Sequence, residues 1–131
     1  MNRVLDASAL IAYLEKEPGY EKVKDAFIGA AESGRRLLMS AVNWGEVCYF
    51  LIRRHGLEKT KEVAALIETF PVEVLPADKE TAKLAALYKA QKKLPYADSF
   101  AAATAKLHKG DLLTADKEFK LVENDIKITW L

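Results

Sequence analysis

Short apolar runs alternate with helix-length segments along the whole chain, and that alternation leaves few folds open. Asn2–Leu5, Arg36–Met39, Val72–Leu75, Asp111–Thr114 and Asp125–Thr129 each read as a strand. Between them lie six predicted helices. Ala7–Glu15 stops near Pro18-Gly19, and Tyr20–Ala31 is ended by Ser33-Gly34. A third helix runs from its N-cap Ser40 to about His55, where Gly56 ends it. Glu58–Thr69 is broken by Pro71, Asp78 caps a helix through about Lys92, and Pro95 opens Tyr96–Leu107, which ends before Gly110. A side-chain oxygen at the N-cap, proline at the first turn and glycine past the last are the physical punctuation of helices. Apolar residues recur at helical spacing at Val23, Phe27 and Ile28, at Val63, Leu66, Ile67 and Phe70, and at Leu84, Leu87 and Tyr88, so those faces are expected inward. Short apolar strands separated by helices predict an α/β three-layer sandwich, its five-stranded, mostly parallel sheet flanked by helices. At 131 residues the expectation is one domain over 1–131.

Composition excludes several functional classes. Lys plus Arg number 20 against 19 Asp plus Glu, so no strong basic field draws the chain onto nucleic acid, and such contact must come from local patches. Arg35-Arg36, Arg53-Arg54-His55 and Lys89, Lys92 and Lys93 are local clusters, but cations near helix ends are favoured by the dipole alone, and most are expected to be solvated. Cys48 is the single cysteine. It excludes an internal disulfide and a cysteine-built zinc site, and its apolar run Val47–Ile52 makes it read as a small core residue. His55 and His108 have no second histidine at ligand spacing and are expected at the surface. Arg3 followed by Ala7–Leu14 looks superficially like a signal peptide, but the run is short, Asp6 and Ser8 interrupt it, and no small-residue cleavage site follows. No stretch approaches a membrane span, so a cytoplasmic protein with no membrane partner is expected.

Three carboxylates stand alone in apolar surroundings. Asp6 is the sole charged residue between Val4 and Leu14, Glu46 between Ala41 and Ile52, and Asp98 between Leu94 and Ala105. Asp116 follows the apolar pair Leu112-Leu113 in Leu112-Leu113-Thr114-Ala115-Asp116. Charged side chains are rarely buried unless paired or bound to a metal, and no Lys or Arg lies close in sequence to Asp6, Glu46 or Asp98. Asp6 and Asp116 each follow a predicted strand, and sites in parallel sheets lie at the carboxyl ends of strands. Glu46 and Asp98 sit early in helices that can lean over the same rim. Acids gathered there repel one another. A hard divalent cation with oxygen ligands, Mg²⁺ or Mn²⁺, relieves that conflict. Such ions activate water and stabilise charge on phosphoryl oxygens, and in two-metal sites they lie roughly 3.5–4 Å apart. Singly, each acid also reads as a cap or loop acid; the convergence of four is what points to chemistry.

These residues resemble a known family. Val4-Leu5-Asp6-Ala7-Ser8-Ala9-Leu10 resembles the opening of PIN-domain ribonucleases. Glu46 in Asn43-Trp44-Gly45-Glu46-Val47 is similar to their helical glutamate, and Asp98 in Tyr96-Ala97-Asp98-Ser99-Phe100-Ala101-Ala102-Ala103 to their third acid. Thr114-Ala115-Asp116-Lys117-Glu118-Phe119 is similar to the closing motif, with Thr or Ser two before the last acid. The resemblance spans the chain in order and spacing, and the length is that of the VapC toxins of toxin–antitoxin pairs. It implies a PIN-like fold and a Mg²⁺- or Mn²⁺-dependent endoribonuclease acting on RNA. It also implies a homodimer, held inactive in a hetero-oligomer with a small VapB-like antitoxin. It assigns catalytic and metal-binding roles to Asp6, Glu46, Asp98 and Asp116. Asp6 and Asp98 would hold the principal ion, Glu46 would bind it or orient its water, and Asp116 would support a second ion or an outer water. Thr114 and Ser8 are candidates for positioning carboxylates, while Ser8 also reads as a helix cap and Thr114 as a strand residue. Trp44 and Tyr96 flank two of the acids; packing is expected of them before base stacking.

Two other readings compete. One is a catalytically silent PIN scaffold that works as a binding or regulatory subunit with its antitoxin; the intact acid set argues against it. The other is a phosphatase with an aspartyl nucleophile, which usually wants a second Asp two residues after the first, where this chain has Ser8.

Overall fold

Helix boundaries in the computed structural model, which describes residues 2–131, fall where side chains satisfy the first free amides. Asp6 Oδ1 accepts from the Ala9 amide and starts α1 (Ala7–Leu14). Ser40 Oγ accepts from Val42 and starts α3 (Ala41–His55), and Asp78 accepts from Thr81 and starts α5 (Lys79–Lys92). The remaining helices are α2 (Tyr20–Glu32), α4 (Leu57–Ile67) and α6 (Tyr96–Leu107). Gly56, at φ +85°, separates α3 from α4 in a backbone conformation that a β-carbon disfavours.

Among the described residues, five strands form one sheet: β1 (Arg3–Leu5), β2 (Leu37–Ser40), β3 (Val72–Leu75), β4 (Asp111–Thr114) and β5 (Ile128–Trp130). Their order is β3-β2-β1-β4-β5, and every pairing is parallel. Side chains alternate across the sheet, as the two-residue period requires. Val4, Leu38 and Leu112 point to one side, where Ala85, Tyr88, Phe100 and Ala101–Ala103 of α5 and α6 cover them. Leu5, Leu37, Met39 and Leu113 point to the other, against Leu10 of α1, Val23 and Phe27 of α2, and Val47 and Leu51 of α3. The result is the three-layer α/β sandwich expected from the sequence, with a fully parallel sheet. Strand order reverses between β1 and β4, the crevice where α/β sheets open toward ligands. Among the described residues no helix is long and apolar enough to cross a membrane.

Several local expectations are corrected. Ile28, Leu66 and Leu87 are exposed, although helical spacing placed them inward. Each adjoins a true core position, Phe27, Ile67 or Tyr88, and one residue turns a helix by about 100°, enough to leave the packed stripe. Cys48 is half-buried rather than a core residue. The final strand is Ile128–Trp130, not Asp125–Thr129. A 3₁₀ turn over Lys117–Val122 precedes it, and Asp125 is held aside by the Tyr88 hydroxyl and by Lys106 Nζ at 2.9 Å. α6 ends ahead of Gly110 as read: Lys109 turns at φ +52° and the Gly110 amide donates to the Ala105 carbonyl at 3.0 Å. Gly110 also lets β4 approach the start of β1: a β-carbon there would lie 2.5 Å from the Asn2 carbonyl oxygen.

Candidate metal centre

The first acid is fixed by donors from three directions. Asp6 follows β1 directly and is 3% exposed. Its carboxylate accepts from the Ala9 amide at 2.9 Å, from Ser8 Oγ at 2.8 and 2.9 Å, and from Thr114 Oγ1 at 2.6 Å. The Thr114 oxygen in turn accepts from the Asp116 amide at 2.9 Å, and Ser8 Oγ accepts from the Ala115 amide at 3.0 Å. Thr114 and Ser8 therefore knit the end of β1 to the end of β4. Burial pushes the Asp6 carboxyl up to about 6. The hydrogen bonds from Thr114, Ala9 and Ser8 oppose that rise, and the nearby Asp116 charge adds to it.

Asp98 lies in the first turn of α6. Burial and then the charges of Asp116, Asp6 and Glu46 push its carboxyl up to about 8, and a hydrogen bond to Asp116 works in the same direction. Asp116 caps the 3₁₀ turn by accepting from the Glu118 amide at 2.9 Å. Glu46, in the second turn of α3, accepts from Asn43 Nδ2 at 2.9 Å. The structure thus brings Asp6, Asp98, Asp116 and Thr114 together on the carboxyl rim, with Glu46 near enough for its charge to act on Asp98.

The ion pairs among the described residues lie elsewhere and take none of these four acids. Asp111 supplies the contrast. It too is buried, and burial alone would raise its carboxyl, but bonds from Arg3 and Thr129 hold it below the usual range. Among the described residues, no cationic side chain forms an ion pair with the rim acids. Carboxylate oxygens of Asp98, Asp116 and Glu118 all lie within 4.8 Å of one another. An all-oxygen donor set of this spacing, with mutually repelling charges, suits a hard divalent cation.

Two polar residues of the rim carry no isolated-charge signal in the sequence. Glu118 lies between Lys117 and Lys120, so its charge looks solvated. Asn43 is neutral, yet it is buried against Glu46; its place three residues before an isolated acid, one turn away, was the available hint. The flanking aromatics pack as expected. Trp44 joins the core around Leu10, and the half-exposed Tyr96 sets its ring edge-on to Phe100 at 5.1 Å. His55 binds Glu15 at 2.8 Å, with Arg54 at 3.3 Å on the same carboxylate.

An acidic cluster at the switch point of a five-stranded parallel α/β sheet defines an acidic-site class of protein. The PIN domain family model matches residues 3–124, and the chain belongs to that family. It is 30% identical over 83 residues to Ribonuclease VapC42 of Mycobacterium tuberculosis, and equally to a VapC ribonuclease of Mycobacterium bovis. The match covers 63% of this chain and 60% of theirs, so the chain spans less than two thirds of the length of these relatives. Among solved structures it is similar to DNA-bound VapBC from Salmonella typhimurium, with a TM-score of 0.80 and 18% identity over 98% of this chain and 97% of that one. It is also similar to VapBC2 from Rickettsia felis bound to a promoter DNA fragment, at 0.78 and 14% over 100% and 99%. These structures share its fold.

Proposed function

We propose that this chain is a divalent-cation-dependent endoribonuclease, the toxin of a VapBC-type pair. The observation that carries the reading is the gathering of Asp6, Glu46, Asp98 and Asp116 on one rim, with no basic side chain among the described residues in ion pairing with any of them. The 30%-identical ribonuclease relatives support the activity, and the similar toxin–antitoxin structures support the pairing. Mg²⁺ or Mn²⁺ is the proposed ion, RNA the substrate, a small VapB-like protein the inhibitor, and the cytoplasm the setting. One domain and a homodimer are proposed with them.

Asp6 and Asp98 are the proposed principal ligands, with Asp116 supporting a second ion or an outer water. When bound, the cation supplies a Lewis acid for a phosphoryl oxygen and lowers the pKa of water. Asp6 is immobilised by its three donors and offers one geometry. Thr114 and Ser8 set that geometry through their hydroxyls. Asp98 holds a proton at neutral pH in the cation-free chain, which lets four acids coexist. Glu46 is the proposed residue that binds the ion or orients its water. Asp6→Asn and Asp98→Asn are expected to reduce RNA cleavage to background while circular dichroism stays unchanged. EDTA should abolish wild-type cleavage, and Mg²⁺ or Mn²⁺ should restore it. Full activity in both variants overturns the assignment.

A further inference from the structure

Asn43 lies in the first turn of α3 and is 1% exposed. Its Nδ2 donates twice, to Glu46 Oε1 at 2.9 Å and to the Ala97 carbonyl at 3.0 Å. Both partners are acceptors, so the amide has one satisfactory orientation, with nitrogen toward them. Its Oδ1 is left buried without a hydrogen-bond partner among the described residues. An orphaned acceptor is destabilising, and an apolar residue of similar size would avoid it. Ala97 directly precedes Asp98. One side-chain amide therefore ties the helix that carries Glu46 to the backbone that carries Asp98.

We propose that Asn43 is a positioning residue: it clamps the Glu46 carboxylate against the Asp98 turn and holds the two acid side chains in register. Once ionised, Asp98 repels Glu46, and a glutamate side chain has rotamers that relieve such repulsion by swinging toward water. The Asn43 bond removes that escape. The consequence for cation binding rests on the nuclease reading above; the clamp itself does not. Groups that orient metal ligands typically change affinity by 10–100-fold when lost.

The test is a double-mutant cycle on the full chain with Asn43→Ala and Glu46→Ala, read by Mn²⁺ titration calorimetry and by thermal melts in EDTA. Asn43→Ala is expected to weaken Mn²⁺ binding about tenfold, and to add less than about twofold once Glu46 is already Ala. Asn43→Leu keeps the volume, removes both donors and should match Ala, so a folding defect in one variant does not decide the result. Equal losses in both backgrounds, or no loss in the wild-type background, overturn the proposal. A wild-type chain that takes up no Mn²⁺ sinks the nuclease reading instead. The clamp is then judged by the melts, where non-additive losses support it and additive losses overturn it.

Discussion

Asp98 keeps its proton at a pH where most carboxyls have lost theirs. Its value of about 8, and that of Asp6 at about 6, both exceed the 3.8 of a free side chain. Between about pH 4 and pH 8 the folded chain therefore binds more protons than the unfolded one, and stability falls as pH rises. That contribution is whole below the unfolded pKa and gone above the folded one. In EDTA the melting temperature is expected to drop steadily from pH 5 to pH 8. Asp98→Asn, neutral at every pH, should flatten most of that slope and melt higher than wild type at pH 8. A wild-type profile that rises over this interval contradicts the arrangement of charges. The same chemistry explains what was legible in the sequence. Asp6, Glu46 and Asp98 are conspicuous because each is a lone charge among apolar neighbours. Thr114 and Ser8 were legible through their spacing to acids, whereas Asn43 has no charge and Glu118 has lysines on both sides.

Elements were legible where a side chain or a backbone restriction marks an end. Ser40, Gly56 and Asp78 delimit α3 and α5 as read. The end of the chain was harder, because a 3₁₀ turn and the pull of Tyr88 and Lys106 on Asp125 delay β5. No local pattern announces a contact between residues so far apart in sequence. Gly110 shows the same limit, since its need to be small comes from Asn2, just ahead of β1 and far away in sequence. Gly110→Ala must push β4 away from β1, and overpacking of this kind costs about 1–3 kcal/mol. Because those two strands carry Thr114 and Asp6, the variant should lose divalent-cation affinity as well as stability. Urea denaturation and Mn²⁺ titration check the pair of effects; a wild-type urea midpoint would show that the strand ends are slack.

At the scale of the molecule, the proposed ion uptake is linked to folding. The rim acids strain the cation-free fold, so an ion that binds only the folded state should stabilise it by about 2.7 kcal/mol when present at 100 times its dissociation constant. Thermal melts at pH 8 should therefore rise with Mn²⁺ concentration, and the rise should shrink in Asp98→Asn. Melts indifferent to Mn²⁺ at millimolar concentration would mean that the acids bind no ion. The distance in chain between the parts of this rim has its own outcome. Asp6 meets Thr114 across 108 positions of the polypeptide. During translation the opening segment emerges long before its counterpart exists, and no pairing of β1 with β4 can anticipate it. A fragment that stops short of β4 therefore lacks the Thr114 hydroxyl that helps fix Asp6, and cannot hold the first acid as the folded domain does.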